Sequence, residues 1–376
     1  MAFSKFLLSA LAGSASAAKL YVATYNNGTT EPALGGVTTL EFTPGLAEGA
    51  GSLKTLGTNQ ECGSAPTWLD TSLGAGKVVC VDEGFATPNA SFNILGAVPE
   101  GLKAQKKQDT IQGPVHTKFY NNNTVVALAH FAAPGPEQLT SHVHQAVQDP
   151  TGKYLVFPDL GADLVRVYCI CPQTGKLTVH KSLESTPGYG PRHVVFWSPG
   201  HQNTNSTTTY MFVIHELSNK IVSYRVGYLE AGGLTFEPVH EVTTYGDRDI
   251  PAGAKAAEIA VTPDNAFIIA SNRNATIDQV ANPNPTNETK IDSDTLATYK
   301  PSPDGKLSFV QLKLSGGKFP RHFSLNKDGS LIAVANQLDM AVDIYARDLA
   351  TGMIGDKVAG AFGLPGPVTN VVWGEE

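Results

Sequence analysis

The chain has 376 residues, of which 41% are hydrophobic and only 16% charged, with 37 glycines and 24 prolines. Its formal net charge is −7 and its basic residues are not run together, which argues against nucleic acid as a partner. No window holds a helical period and no apolar run reaches the roughly 18–20 residues of a membrane span, so an all-β chain without a membrane span is expected.

From the N-terminus, Lys5 supplies a positive charge, Phe6 to Ala12 a short apolar core and Ala15-Ser-Ala17 a small-residue cleavage pattern. Residues 1–17 therefore read as a secretory signal peptide, and 18–376 as a single mature domain. Acceptor sites of the form N-x-S/T stand at Asn27, Asn89, Asn122, Asn205, Asn274 and Asn287, each in a polar stretch. Together with the leader they point to a secreted glycoprotein. In an oxidising compartment Cys62, just before a repeat, and Cys80, in its second strand, are expected to form a disulfide. Cys169 and Cys171 alternate onto one face of a strand, a spacing that suits neither zinc nor a redox pair and reads as structural.

Repeated pairs of apolar strands start near residues 66, 113, 144, 191, 257 and 320. The segment 366–373 has the pattern of an opening strand without its partner. Lys19 to Tyr25 has that of a second strand, and Gly36 to Glu41 that of a third. Pairing the two ends would complete a seventh unit and cover the open edges. The expected fold is an all-β, seven-bladed β-propeller of four-stranded antiparallel blades, closed by the N- and C-terminal strands in one blade. The inserts 198–209 and 274–294 read as surface loops.

In such a blade the start of strand one and the end of strand two share a mouth. Starts carry His144, Arg192, Glu258 and Arg321, with His322 beside the last; ends carry Asp159, Glu216, Arg273 and Asn336. These residues either lock the blades together as ion pairs or form a site. As a site, arginine forks would hold carboxylates or phosphates, and Glu216 with His144 would do acid/base work. No nucleophile elbow, phosphate loop or complete dinucleotide fingerprint is present. His215-Glu216 opens like a zinc-protease motif but meets Asn219 where the second His belongs, and His142-x-His144 lacks a third ligand, so no metal is expected.

Several runs resemble the seven-bladed lactonase family: Asp149-Pro-Thr-Gly-Lys153, Pro158-Asp-Leu-Gly-Ala-Asp-Leu-Val-Arg-Val-Tyr168, Gly190-Pro-Arg-His193, His215-Glu-Leu-Ser-Asn219, Ser271-Asn-Arg273 and Phe319-Pro-Arg-His322. The family includes bacterial 6-phosphogluconolactonases and fungal 3-carboxy-cis,cis-muconate lactonizing enzymes. The resemblance implies a functional set of His144, Arg192, Glu216 and Arg273, with His144 and Glu216 catalytic. It also implies substrate binding by Arg192 and Arg273, to which the ring of residues at the mouth adds Arg321 and His322 of the second P-R-H run. It implies a cofactor-independent enzyme, carboxymuconate cyclase-like, forming or opening a lactone on an acidic small molecule; the leader makes it secreted, and a closed propeller is self-sufficient as a monomer. A gluconolactone-type hydrolase and an extracellular glycoprotein using the propeller for binding or adhesion are the alternatives.

Overall fold

The computed structural model describes residues 17–26, 28, 35–45, 51–85, 89–131, 138–200 and 208–374. All but the last residue of the signal segment, and the acceptors Asn27 and Asn205, lie outside them.

Six four-stranded antiparallel sheets and one of two strands carry the fold. The sheet built from both ends orders Val368–Trp373, Ala18–Thr24, Gly36–Thr43 and Ser52–Asn59, with Leu20 opposite Trp373 and Thr24 opposite Val368. The others follow in chain order. Pro66–Asp70 opens the sheet that ends with Gly101–Thr110, and Val147–Gln148 the one that ends with Leu177–Glu184. Pro191–Trp197 opens the sheet ending with Leu234–Thr243, Lys255–Val261 the one ending with Leu307–Leu314, and Pro320–Leu325 the one ending with Ile354–Ala361.

Burial falls from the second strand of a sheet to its fourth. Thr209–His215 and Ile268–Arg273 are buried throughout, because blades cover them on both faces. The first is correspondingly a near-continuous apolar run, and the second opens with Ile-Ile-Ala before three buried polar residues. Gly101–Thr110, an outermost strand, is mostly exposed and reads Gly-Leu-Lys-Ala-Gln-Lys-Lys-Gln-Asp-Thr. Apolar clusters lie between neighbouring sheets; one joins Val156, Val165 and Val167 to Val194, Met211 and Val213. Each such fully buried side chain contributes roughly 1.5–3 kcal/mol.

Three expectations change. Among the described residues the unit at 114–130 has two strands, Pro114–Tyr120 and Val125–His130. Phe131 and His142 then bridge to each other. The next blade is not opened by a regular strand at His144: Val143 bridges Asp159, and ladder pairing resumes only at Val147. The insert 274–294 is not merely loop, since Asp278–Ala281 pairs with Lys290–Ser293 as a hairpin.

Cys62 and Cys80 are joined in a disulfide with Cα atoms 6.0 Å apart, both fully buried. Cys169 and Cys171 are free and half-buried, Cys171 lying just past its strand. Asn89, Asn122, Asn274 and Asn287 are exposed.

Candidate active site at the channel mouth

One irregularity recurs in the first strands. The register shifts between Pro66 and Trp68, Pro114 and His116, Pro191 and His193, and Pro320 and His322. Proline suits the first position of a strand, where no ladder N–H is needed. The extra residue after it is a β-bulge, which re-aims the side chains around it. In two of these strands the bulged residue is an arginine, Arg192 or Arg321. The residue after the bulge faces the axis, where the rings meet: Trp68 lies 4.0 Å from His116, 5.2 Å from His322 and 6.1 Å from His193, centroid to centroid.

A second recurrence sits at the other strand end. Tyr25, Glu83, Phe131, Leu160, Glu216 and Gln337 each follow a second strand and donate their N–H to a carbonyl just before or at the start of the paired first strand. For Glu216 the acceptor is Gly190, at 2.8 Å. Gly190 has φ +65°, and a Cβ there would stand 2.8 Å from Leu217 Cγ, so this bend asks for glycine. Phe319 occupies the equivalent place with φ +63°, a strained setting for a bulky residue. Its ring lies 4.8 Å from the Arg273 guanidinium carbon.

These two recurrences build a cavity of about 500 Å³ bordered by His144, Glu216, Lys255, Arg273, Phe319 and Arg321, among others. A larger cavity of about 800 Å³ lies at the opposite strand ends, against Lys118, Tyr120 and Lys153, beside the two-stranded unit. It gathers no converging acid, base and cation, so the smaller cavity is the candidate site.

Glu216 Oε2 forms ion pairs with Arg192 Nε at 2.9 Å and Arg273 Nη2 at 2.7 Å. Those guanidiniums also donate to the backbone, Arg192 to Ala257 O at 2.7 Å and Arg273 to Ala256 O at 3.2 Å. Burial pushes the Glu216 carboxyl up, but Arg273 and Arg192 outweigh it and hold it below the usual carboxylate range. Burial, with Arg273 nearby, pulls Arg192 down to about 9. Arg192 is 1% exposed and does not border the cavity; it underlies Glu216 instead.

Deeper, His144 Nδ1 stands 3.0 Å from His193 Nε2, and His193 Nδ1 stands 2.8 Å from Glu258 Oε1. His322 Nε2 approaches Glu258 Oε2 at 3.5 Å and does not border the cavity. Burial pushes Glu258 up, and burial with the neighbouring arginines keeps His144 and His193 well below the usual imidazole value. Beside Arg321, which borders the cavity, Tyr25 donates to Glu83, and the Arg321 guanidinium carbon lies 6.0 Å from the Tyr25 ring centroid. Burial raises Glu83 despite Arg321.

Of the eight offset residues, Asp159 and Asn336 do not join the site. Asp159 accepts from Ser141, His142 N and Arg166, and Asn336 donates to Ser315 O and Asp343. Both are the last residue of their strand, and neighbouring residues face opposite ways, so Leu160 reaches the mouth in place of Asp159. Tyr25, Glu83, Lys255 and His193 enter the site without having been singled out as functional. Tyr25 and Glu83 occupy the Glu216 position of degenerate repeats, the one signal that marks them. His142 is held by Thr140 O at 2.9 Å, and among the described residues no group of three or more His, Cys, Asp or Glu is placed to hold a metal.

The profile of the seven-bladed β-propeller lactonases matches residues 128–372. A probable 6-phosphogluconolactonase of Arthroderma benhamiae is 24% identical, over 86% of this chain and 84% of its own length. An uncharacterised protein of Staphylococcus saprophyticus is 31% identical, over 78% and 77%. In fold, the periplasmic gluconolactonase of Pseudomonas aeruginosa superposes with a TM-score of 0.74 at 21% identity, covering 96% of this chain and 99% of its own. With most of its length inside that profile, the chain belongs to the lactonase family of seven-bladed β-propellers.

Proposed function

We propose that this chain opens a lactone bearing an anionic group, with His144 as general base. The observation that carries this reading is the shared cavity: His144 faces it from one wall, and Arg273, Arg321 and Lys255 from the others. The ring nitrogen of His144 not used by His193 has no hydrogen-bond partner among the described residues. It is the atom available to a water. His144 takes a proton as the water oxygen attacks the lactone carbonyl, and a guanidinium of Arg273 or Arg321 holds the oxyanion. A second guanidinium or Lys255 holds the anionic substituent.

Glu216 is too firmly paired to carry a proton, and its part is to fix Arg273 and Arg192. Arg192 then acts on the substrate through Glu216 rather than by contact. The cluster of cations stands in a chain of net charge −7, which focuses field lines at the mouth and favours an anionic ligand. Relatives named 6-phosphogluconolactonase and a fold neighbour that is a gluconolactonase support an aldonolactone over other esters. Cyclisation of a carboxymuconate asks for the same arginines and a proton from His144, and is the reading to set against hydrolysis. No step of either reaction asks for a metal or organic cofactor.

Acid release from gluconolactone and its 6-phosphate, measured beside carboxymuconate consumption and with chelator present, tests this. Faster opening of the phosphorylated lactone is expected. Carboxymuconate turnover alone would replace hydrolysis by cyclisation, and no turnover of any of them by folded protein would sink the enzyme reading in favour of a binding platform. Export is part of the proposal, supported by the leader-like N-terminus, the buried disulfide and four exposed acceptor asparagines. Medium from an expressing eukaryotic host should contain glycosylated chain beginning at Ala18; chain retained inside cells with its first 17 residues would contradict it.

A further inference from the structure

Three groups run in line from the cavity to the channel axis: His144, His193 and Glu258, linked at 3.0 and 2.8 Å and all buried. Their polarity follows from one end. An ionised Glu258 only accepts, so His193 carries its proton on Nδ1 and a lone pair on Nε2. Arg192 Nη1, which can only donate, also stands 3.5 Å from that nitrogen, and two lone pairs cannot face each other across the 3.0 Å contact, so His144 carries its proton on Nδ1. The lone pair of His144 is then on Nε2, the atom left for the cavity.

We propose that His193 and Glu258 are a proton relay for His144. The inference rests on the hydrolytic reading of the site. As water adds to the carbonyl, its proton passes to His144 Nε2. The Nδ1 proton of His144 passes to His193 Nε2, and the Nδ1 proton of His193 passes to the Glu258 carboxylate. The carbonyl π pair moves to oxygen. On collapse it returns, the ring C–O bond breaks, and the departing oxygen takes the proton from His144 Nε2 while the two inner protons shift back. No imidazolium persists, and one chain serves as base and then as acid.

The surroundings make such a chain useful. An imidazolium at His144 would face Arg192, Arg273 and Arg321 as well as His193. Glu258 faces His193, His322, Arg192 and Arg273, and besides the His193 N–H its Oε1 accepts the backbone N–H of Ile259 at 3.0 Å. Its Oε2 has no hydrogen-bond partner among the described residues. A proton delivered to Oε1, across the contact with His193, neutralises a buried carboxylate instead of adding charge among guanidiniums.

Neither relay residue borders the cavity, so Glu258→Gln and His193→Gln should lower kcat about 100-fold or more while KM stays within about threefold. In Glu258→Gln the acid limb of the rate profile should move to lower pH, because the first proton must then go onto an imidazole among arginines. A purely structural role would leave that limb in place. If His144→Gln is inactive while both relay variants keep the wild-type kcat and pH profile, the relay is wrong and the hydrolytic reading stands. Full activity of His144→Gln would overturn both. Imidazole 15N NMR of the wild type gives an answer independent of turnover. Neutral rings with the proton on Nδ1 at both His144 and His193 are expected near pH 7, and a proton on Nε2 of either ring would overturn the relay.

Discussion

Glu216 and Glu258 are both buried and stand in one site, yet they are placed to do opposite things. Glu216 lies between Arg273 and Arg192, whose charge is fixed, and is held ionised below its ordinary range. Glu258 lies between His193 and His322, whose rings can be neutral, and burial pushes it up. The partner's chemistry decides: a guanidinium locks a carboxylate, whereas an imidazole leaves it able to take up a proton. Two carboxylates driven apart in this way divide the labour of a site between holding charge and moving protons.

Removing each charge should separate the two most clearly. Glu216→Gln leaves two buried guanidiniums without their counter-ion and should cost about 3–5 kcal/mol in urea unfolding at pH 7. Glu258→Gln, whose imidazole partners need no counter-ion, should cost less than about 1 kcal/mol. Equal losses would break the comparison. The pH dependence should differ in sign as well. Glu216, depressed when folded, contributes stability that is present above its unfolded value near 4.5 and lost as pH falls through the folded value. Glu258, raised when folded, contributes stability that is full below 4.5 and lost as pH rises through the folded value. Unfolding from pH 3 to 7 should therefore show the deficit of Glu216→Gln against wild type growing toward the neutral end and that of Glu258→Gln shrinking there; parallel curves would contradict this. A smaller effect is expected at the rim. Phe319→Gly relieves a positive φ but removes the ring beneath Arg273, and should raise KM about tenfold, ~1.4 kcal/mol of binding, with kcat little changed. An unchanged KM would show that the ring does not hold Arg273.

Much of this was legible before any coordinates. Inner strands announce themselves as apolar runs because both their faces are covered, and Pro-x-His or Pro-x-Trp recurs at 66, 114, 191 and 320. That tripeptide drew attention through its arginines, whereas its third residue builds the channel axis. A bulge is a register event between two strands, which a single strand's sequence does not display. Asp159 and Asn336 were misplaced by one residue, enough to reverse the face they present. Tyr25 and Glu83 were missed because their repeats are worn or split between the chain ends. The unit at 114–130 is hard to read because outer strands such as Gly101–Thr110 are polar, so an outer pair leaves little trace in composition.

The most direct test of the account is the turnover of His144→Gln on whichever lactone the wild type opens fastest, measured beside its thermal unfolding. The account predicts kcat lower by about 10²–10⁴ with a melting temperature within a few degrees of wild type. Wild-type kcat in a folded His144→Gln protein would contradict it.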